Sequence, residues 1–310
     1  MPTPSNSAPT PTTPAAWNPQ TQLPPRSVFG NYPGPGAEPE SPTASAAPAP
    51  KPSFHADLLQ SQIDLCVARA FIYRFLAKAY EDPAPETWRW LTDPATQSQW
   101  RAACLSAGLN TCTALQDALS PDGLDAFLSA YLVAFGHAAR GQCPLNEIEY
   151  GELKADPLFQ PHRLADLAAF YRAFGLEISP EAGERHDHLC LELEFMCVLA
   201  AKEAYALEHQ LDADEAQVGR DAQRDFLREH LGRWSPAFAR RLAATVAGSP
   251  LAALAEFTRA FIESECARAG VRCGGEDLLL RPVDQAAESL CASCALSELP
   301  PGAQPPEQPA

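Results

Sequence analysis

The ionisable side chains whose spacing is most informative lie in residues 185–196, which read RHDHLCLELEFM. The apolar residues around them recur every three or four positions, which predicts a helix over residues 184–209. On that helix His188 and Glu192 lie four residues apart within the apolar face, so their side chains can touch. Because an unpaired buried charge is strongly disfavoured, we expect the two groups to pair with each other or with a third partner.

Three roles for His188 and Glu192 are compatible with this placement. The two side chains could form an internal hydrogen bond that fixes the register of the helix, contribute to the docking of a partner, or join a metal or catalytic site. A metal-dependent hydrolase would add His186 as a ligand, but histidines two residues apart point to different sides of a helix, whereas zinc-binding helices space them by four. Asp187 is predicted in the first turn, where a carboxylate suits the helix dipole, and Glu194 is predicted on the solvated side.

Cysteine spacing offers a second candidate site. Cys291 and Cys294 form a C-x-x-C motif, and Cys273 precedes Gly274 and Gly275, a flexible turn that could bring another thiolate round. Such thiolates can hold zinc or an iron–sulfur cluster, but the second C-x-x-C pair of a standard zinc ribbon is missing. Metal ligands, a redox pair and unligated thiols on a tail therefore stay open, and a metal-carrying or redox-sensing adaptor is an alternative function.

Signatures of other enzyme classes are missing from the sequence. It contains no nucleophile elbow, no P-loop and no dinucleotide-binding fingerprint. We therefore expect a protein that is not an enzyme and that needs no cofactor, apart from zinc or iron–sulfur at the three C-terminal cysteines named above.

Proline is concentrated at the two ends of the chain, where it rules out helix and sheet interiors. The Pro- and Ala-rich residues 1–53 are predicted to form a disordered leader. Residues 54–272 are predicted to form one helical domain, and residues 273–310 a flexible tail that carries cysteines.

The charge of the chain is strongly acidic, with 39 Asp and Glu residues against 23 Lys and Arg residues. Such a surface repels phosphate backbones, which excludes nucleic acid, and favours a basic partner such as an arginine-containing peptide. We find no secretory signal and no run of the roughly 18 apolar residues that a membrane span needs. We therefore expect a cytoplasmic protein without membrane insertion, whose cysteines stay reduced.

Helical periodicity dominates the central part of the sequence, and alternating strand patterns are nearly absent. This predicts an all-α fold, a single irregular bundle of about nine or ten helices. The predicted helices span about 57–80, 85–92, 95–107, 111–118, 120–138, 158–175, 184–209, 215–231, 235–247 and 250–269.

Three motifs resemble the TorD/DmsD/NarJ family of molybdoenzyme chaperones. The run DHLCLELEFM at residues 187–196 is similar to the signature of that family, and PLNEIEYG at residues 144–151 resembles its Pro-x-Tyr-Glu-Ser-x-Tyr segment. Asn146 and Ile148 stand where the family usually has Tyr and Ser, which indicates a subgroup with its own client. The residues from Phe226 to Phe238 resemble a third family segment, L-x-x-H-L-x-x-W, and the resemblance extends over about 60–270.

The resemblance implies an all-helical chaperone that recognises a twin-arginine signal peptide. It also implies that the protein holds the apo catalytic subunit of a molybdenum oxidoreductase while the molybdopterin cofactor is inserted, acting as a monomer or a homodimer. An acidic groove with apolar walls can bind an apolar helix and pair its arginines with carboxylates. The residues that would border this groove or bind the partner are Glu147, Tyr150, Asp187, His188, Glu192 and Glu194, whereas Trp234 and Phe238 are expected in the core.

Overall fold

A computed structural model of the chain describes residues 54–109, 112–136, 141–151, 159–178, 184–211 and 213–281. Over these residues the chain forms ten α-helices, two short 3-10 turns at 121–123 and 147–149, and two isolated β-bridges. The helices are α1 (Phe54–Tyr80), α2 (Pro85–Thr92), α3 (Pro94–Ser106), α4 (Cys112–Ala118), α5 (Leu124–Phe135), α6 (Phe159–Ala173), α7 (Leu189–Glu208), α8 (Ala213–Glu229), α9 (Leu231–Thr245) and α10 (Pro250–Ala269).

Local sequence signals fix where several helices begin and end. The Asp93 carboxylate accepts hydrogen bonds from the backbone N–H groups of Ala95 and Thr96, which caps the start of α3. Ser249 caps α10 through the N–H of Ala252, and Gly270 ends the same helix in the left-handed conformation. These caps satisfy backbone groups that the helix leaves without a partner.

Two helix pairs form the centre of the bundle: α1 packs against α7, and α9 packs against α10. Aromatic rings fill the space between them. The indole of Trp100 lies 4.2 Å from the ring of Phe75 and 4.6 Å from that of Phe257, measured between centroids. Burial of such large side chains is the main favourable contribution to folding, so these contacts set the relative placement of the helices.

A buried polar network ties four helices together around Arg69 of α1. Its guanidinium donates to Glu265 of α10 at 2.6 to 2.9 Å, to Gln223 of α8 at 2.6 Å and to Glu203 of α7 at 3.4 Å. The hydroxyl of Tyr73 donates to Glu265 at 3.0 Å. Because each charge has a partner, the desolvation cost is offset and the network fixes the packing of the four helices.

The all-α bundle confirms the predicted fold class, and most helices begin within a few residues of the predicted positions. The described part of the predicted tail differs from expectation, because residues 273–281 pack on the bundle. The Gly274 N–H donates to the carbonyl of Gly232 at 2.8 Å, and the Arg281 N–H donates to that of Glu149 at 2.9 Å. The predicted leader, residues 1–53, and Cys291 and Cys294 lie outside the described residues.

None of the described helices combines the length and the apolar character that crossing a bilayer requires.

Candidate partner-binding site

Two loops meet beside the first turn of α9, and together they hold most of the residues selected from the sequence. We call residues 143–151, 184–188 and 230–234 the loop junction. Within it the two loops are joined by an isolated antiparallel β-bridge between Asn146 and His188. The Glu147 N–H donates to the Asp187 carbonyl at 2.9 Å, and the Leu189 N–H donates to the Leu145 carbonyl at 2.8 Å. This pairing brings the two family motifs side by side.

The carboxylate of Asp187 is completely buried and bridges the two loops. It accepts hydrogen bonds from the Arg185 guanidinium at 2.8 and 3.0 Å, from the Asn146 amide at 3.2 Å and from the backbone N–H of Ile148 at 3.1 Å. Asp187 was predicted in the first turn of the helix, but it lies two residues before α7 begins. Its role in the structure is to fix the loop pairing, because its oxygens already accept four hydrogen bonds from three groups of the chain.

Glu147 is also completely buried, and its carboxylate is bonded to one histidine and two arginines. Its carboxylate accepts from His230 Nδ1 at 2.9 Å, from Arg233 at 3.0 Å and from Arg163 of α6. Burial by itself would raise the pKa of Glu147, but the hydrogen bond and charge of His230, together with the two arginines, lower it to about 2. Glu147 is therefore ionised at neutral pH and fixes the loop to α6 and α9.

A second buried carboxyl group, that of Glu192, lies beneath the loops and is bonded to Trp234. The indole Nε1 donates to Oε2 at 3.0 Å and to Oε1 at 3.3 Å. Burial, followed by the nearby charge of Glu147, raises the pKa of Glu192 well above its ordinary value. The opposite pKa shifts favour the charged form of Glu147 and the neutral form of Glu192. Two carboxyl groups can therefore be buried in one region of the core without repelling each other.

His188 and Glu192 do not pair with each other, so of the two alternatives expected from the sequence the structure has pairing with a third partner. The helix begins at Leu189, so His188 has an extended backbone and acts as the helix cap, with its Nδ1 accepting from the Cys190 N–H at 3.3 Å. A helical wheel does not describe a residue that precedes the helix. The partner of Glu192 is the third group that the sequence left unnamed, Trp234 of α9.

His188 closes the junction on the solvent side, next to Glu184. The imidazole Nε2 lies 3.6 Å from the Glu184 carboxylate, whose side chain is 52% exposed. Burial lowers the pKa of His188 below its ordinary value, although the charge of Glu184 opposes the shift. A pKa below the ordinary value favours the neutral form of the ring at pH 7.

Tyr150 lies in the core rather than on a surface. Its hydroxyl donates to the Pro144 carbonyl at 2.9 Å and its ring lies 5.1 Å from that of Trp234. The backbone around it pairs with the last described segment of the chain, because the Gly151 N–H donates to the Leu279 carbonyl at 2.9 Å. Tyr150 therefore holds the loop closed, and residues 279–281 cover its outer edge.

Glu194 stands apart from the loop junction and faces α1. The prediction that it lies on the solvated side is only partly correct, because the side chain is partly buried. Burial raises its pKa to about 7, with Lys78 and Arg74 opposing the shift and Glu81 adding to it. The wheel placed Glu194 away from the core of its own helix, but α1 packs against that side.

The hydrolase ligands selected from the sequence are not brought together. The His186 ring stacks on Tyr171 at 6.3 Å between centroids, while His188 caps α7 and Glu192 bonds to Trp234. Across the described residues, no three His, Cys, Asp or Glu side chains are grouped so that they could hold a metal ion. The only described member of the cysteine set, Cys273, lies against the Gly232 carbonyl at 3.6 Å.

Several residues that build the junction were not selected from the sequence. Arg163 gave no signal because it comes from a different helix, 16 residues beyond Glu147. His230 and Arg233 did offer a signal, since they lie four residues and one residue before Trp234 in the third family segment, where a buried helix start needs polar partners.

Comparison with known proteins extends the similarity seen in the motifs. The family described as nitrate reductase delta subunit matches residues 102–240, which include the whole loop junction. The perchlorate reductase assembly chaperone of Dechloromonas aromatica (strain RCB) is 37% identical over 105 residues, which are 34% of this chain and 46% of that protein. The selenate reductase assembly chaperone of Thauera selenatis is 43% identical over 82 residues, or 26% of this chain and 41% of that protein.

A more distant relative is the chaperone TorD of Vibrio cholerae serotype O1 (strain ATCC 39315 / El Tor Inaba N16961). It is 34% identical over 93 residues, which are 30% of this chain and 40% of TorD. The chain thus spans less than half the length of each of these relatives. No solved structure matches it significantly.

Proposed function

We propose that this chain belongs to the TorD/DmsD/NarJ family and that it is a cytoplasmic assembly chaperone for a molybdenum oxidoreductase. In this proposal it binds the twin-arginine leader and the apo form of the catalytic subunit, and it helps cofactor insertion and assembly before export. It does so by binding alone, without catalysis and without a cofactor of its own.

The observation that carries the proposal is the exposed Glu184 carboxylate beside a neutral His188. Because the neutral His188 ring does not form a full ion pair with Glu184, the Glu184 carboxylate remains available to a ligand at the exposed surface of the loop junction. A guanidinium binds such a carboxylate through paired, charge-assisted hydrogen bonds. This arrangement supports an arginine-bearing ligand over an anionic one.

Two further carboxylates extend the acidic surface of the junction. Glu149 lies 3.8 Å from Arg185, and Asp166 lies 3.2 Å from His230, with 23% and 52% of their side chains exposed. We call Glu149, Asp166 and Glu184 the carboxylate rim. The overall negative charge of the chain would speed the encounter with a basic leader.

The buried members of the predicted site then act by positioning the rim. Glu147, Tyr150 and Asp187 are completely buried and bonded within the chain, so they hold the loops in place. A ligand that contacts only the rim would still depend on them, because a loop that loses its buried anchors no longer presents its carboxylates in one arrangement.

Calorimetric titration of the full chain with a synthetic leader peptide tests this proposal. The peptide carries two adjacent arginines followed by an apolar segment, and a matched peptide has lysine at both positions. We expect the arginine peptide to bind more tightly, with an affinity that falls as salt rises. Glu184→Gln should weaken binding by about tenfold, as expected for a lost charged hydrogen bond.

Glu215→Gln is the matched control, because it removes the same charge from the exposed first turn of α8. Glu215 lies 14 residues before Glu229, or about 21 Å along the helix from the junction. Equal affinity for the two peptides, or equal losses in the two variants, would contradict recognition of arginine at Glu184.

The chaperone role itself is tested by co-expression with the catalytic subunit of a molybdenum reductase in cells that cannot make the cofactor. We expect a stable complex between this chain and the apo subunit, which dissociates after the cofactor is supplied. Failure to isolate that complex, with normal reductase maturation in cells that lack this chain, would overturn the proposal.

A further inference from the structure

Two cysteines lie together behind the loop junction, at the point where the chain leaves α10. Cys266 is on the last turns of α10 and is buried, and Cys273 follows seven residues later, partly exposed. Both sulfurs lie against Gly232, and each thiol shifts the pKa of the other. A methyl group on Gly232 would come within 2.7 Å of Cys266 Sγ, while Cys273 Sγ lies 3.6 Å from the Gly232 carbonyl oxygen.

We propose that Cys266 and Cys273 are a redox modification site, at which a low-molecular-weight disulfide converts the two thiols into an intramolecular disulfide. Both sulfurs contact Gly232, which has no side chain that would hold them apart. The turn that connects them contains Gly270 in the left-handed conformation, which reverses the chain so that Cys273 returns to the helix. The bond therefore closes a short loop that the fold already holds in a closed arrangement.

The reaction is two successive thiol–disulfide exchanges. The thiolate of Cys273 attacks one sulfur of oxidised glutathione, which forms a mixed disulfide and releases one glutathione thiolate. The thiol of Cys266 then loses its proton to solvent, attacks the Cys273 sulfur and releases the second glutathione. The two cysteines are oxidised by two electrons, and one oxidised glutathione is reduced to two thiols.

The order of attack follows from the environments of the two thiols. Cys273 is partly exposed, and its interaction with Cys266 lowers its pKa, with the Gly274 N–H contributing in the same direction. The interaction with Cys273 and burial both raise the pKa of Cys266. Cys273 is therefore the thiol that meets the oxidant, and Cys266 is the one that resolves the mixed disulfide.

The disulfide would affect the segment that follows Cys273, residues 274–281. Residues 274–281 run from Gly232 to the outer edge of the loop junction, where the Gly151 N–H donates to the Leu279 carbonyl. A disulfide at Cys273 fastens the start of this segment to α10. The oxidised chain then holds the cover of the junction in place more firmly than the reduced chain.

Peptide mapping of the full chain tests the proposal directly. The chain is incubated with oxidised glutathione, remaining thiols are alkylated under denaturing conditions, and the product is digested with trypsin. Cleavage after Arg259, Arg268 and Arg272 separates the two cysteines onto different peptides. We expect residues 260–268 joined by a disulfide to the peptide that begins at Cys273, and we expect dithiothreitol to release them.

A Cys291→Ser/Cys294→Ser variant removes the other cysteines of that second peptide, so a link to it must come from Cys273. Cys143 is the internal control, since it is a buried thiol that donates to the Thr245 hydroxyl at 3.4 Å. It should be recovered fully alkylated. Recovery of alkylated Cys266 and Cys273, or a mixed disulfide at Cys273 that Cys266 never resolves, would overturn the proposal.

Hydrogen exchange supplies a second readout on the same samples. Oxidation should slow exchange at the amide of Gly274 by about tenfold or more, since closing a short loop restricts the open state. The Cys273→Ser chain should show no change with the same oxidant. Unchanged exchange in a chain that carries the disulfide would contradict the proposed effect on the segment.

Discussion

The indole nitrogen of Trp234 donates a hydrogen bond to the carboxyl group of Glu192 at 3.0 Å, and both side chains are completely buried. This contact joins the first turn of α9 to the first turn of α7. The same two turns carry the loop junction, because Arg233 reaches Glu147 and His188 caps α7. The geometry of the exposed loops is thus set by a polar contact in the core.

Trp234→Phe should lower the free energy of unfolding by about 1 to 3 kcal/mol through the loss of the donor to buried Glu192, with a further cost for the smaller ring. Urea unfolding at pH 7 measures this change. In a Glu192→Leu background the same substitution should cost less, since no buried polar group is left without a partner. Equal costs in the two backgrounds would show that the hydrogen bond does not contribute.

Glu147→Gln should destabilise the protein by about 3 to 5 kcal/mol at pH 7, because Arg163, Arg233 and His230 lose the carboxylate to which all three are bonded. The pKa of Glu147 in the folded chain is lowered to about 2. A lowered pKa means that the stabilisation is complete above the ordinary value for glutamate and is lost as pH falls toward 2. The difference between variant and parent should therefore shrink between pH 5 and pH 3.

Arg228→Gln is a suitable control for that experiment, because Arg228 makes exposed ion pairs near the end of α8. Exposed pairs contribute little to stability, because water and salt screen them, so we expect only a small and pH-independent change from Arg228→Gln. A pH-independent penalty for Glu147→Gln would indicate that loss of shape, rather than loss of charge, causes the destabilisation.

The fold class and most helix positions could be predicted because helical periodicity and capping residues are local signals. The start of α7 shows the limit of that approach. The helix was predicted to begin near residue 184, yet Asp187 and Leu189 pair with the 145–147 loop and His188 stays extended, so the helix begins only at Leu189. A wheel drawn through residues 185–188 placed His188 beside Glu192, and only the tertiary structure separates the two.

The residues of the candidate site were found more readily than their roles. Sequence motifs selected Glu147 and Asp187, but burial and the identity of their donors depend on chain segments far apart in sequence. The same holds for residues 273–281, whose glycines indicated a flexible tail. Gly274 instead allows close approach to the Arg233 backbone, which no local pattern reports.

Glu194 should make stability fall as pH rises through the neutral range. Its pKa in the folded chain is raised to about 7, so between the ordinary glutamate value and pH 7 the folded chain binds a proton that the unfolded chain has released. Unfolding free energy therefore decreases across that window, by up to about 3 kcal/mol before allowance for partial exposure. Glu194→Gln cannot titrate and should lack this decrease.

The measurement is urea unfolding of the parent and Glu194→Gln chains at pH 5 and pH 8. The variant should gain stability relative to the parent between the two pH values. Glu215→Gln, which removes a charge from an exposed position on α8, serves as the control. A constant difference between parent and Glu194→Gln would exclude titration of this side chain in the window.

Gly274→Ala should detach the segment that covers the loop junction. A methyl group at this position would lie 1.9 Å from the Arg233 carbonyl oxygen, so the backbone must move away. We expect a loss of about 1 to 3 kcal/mol, typical of overpacking, and faster hydrogen exchange at the Gly151 amide. Gly275→Ala is the matched control, because its methyl group would meet only the Asp277 side chain, which can rotate aside. Equal exchange rates at Gly151 in both variants would mean that the segment does not depend on this close approach. Leader binding, measured in the same two chains, reports whether residues 274–281 affect access to the carboxylate rim.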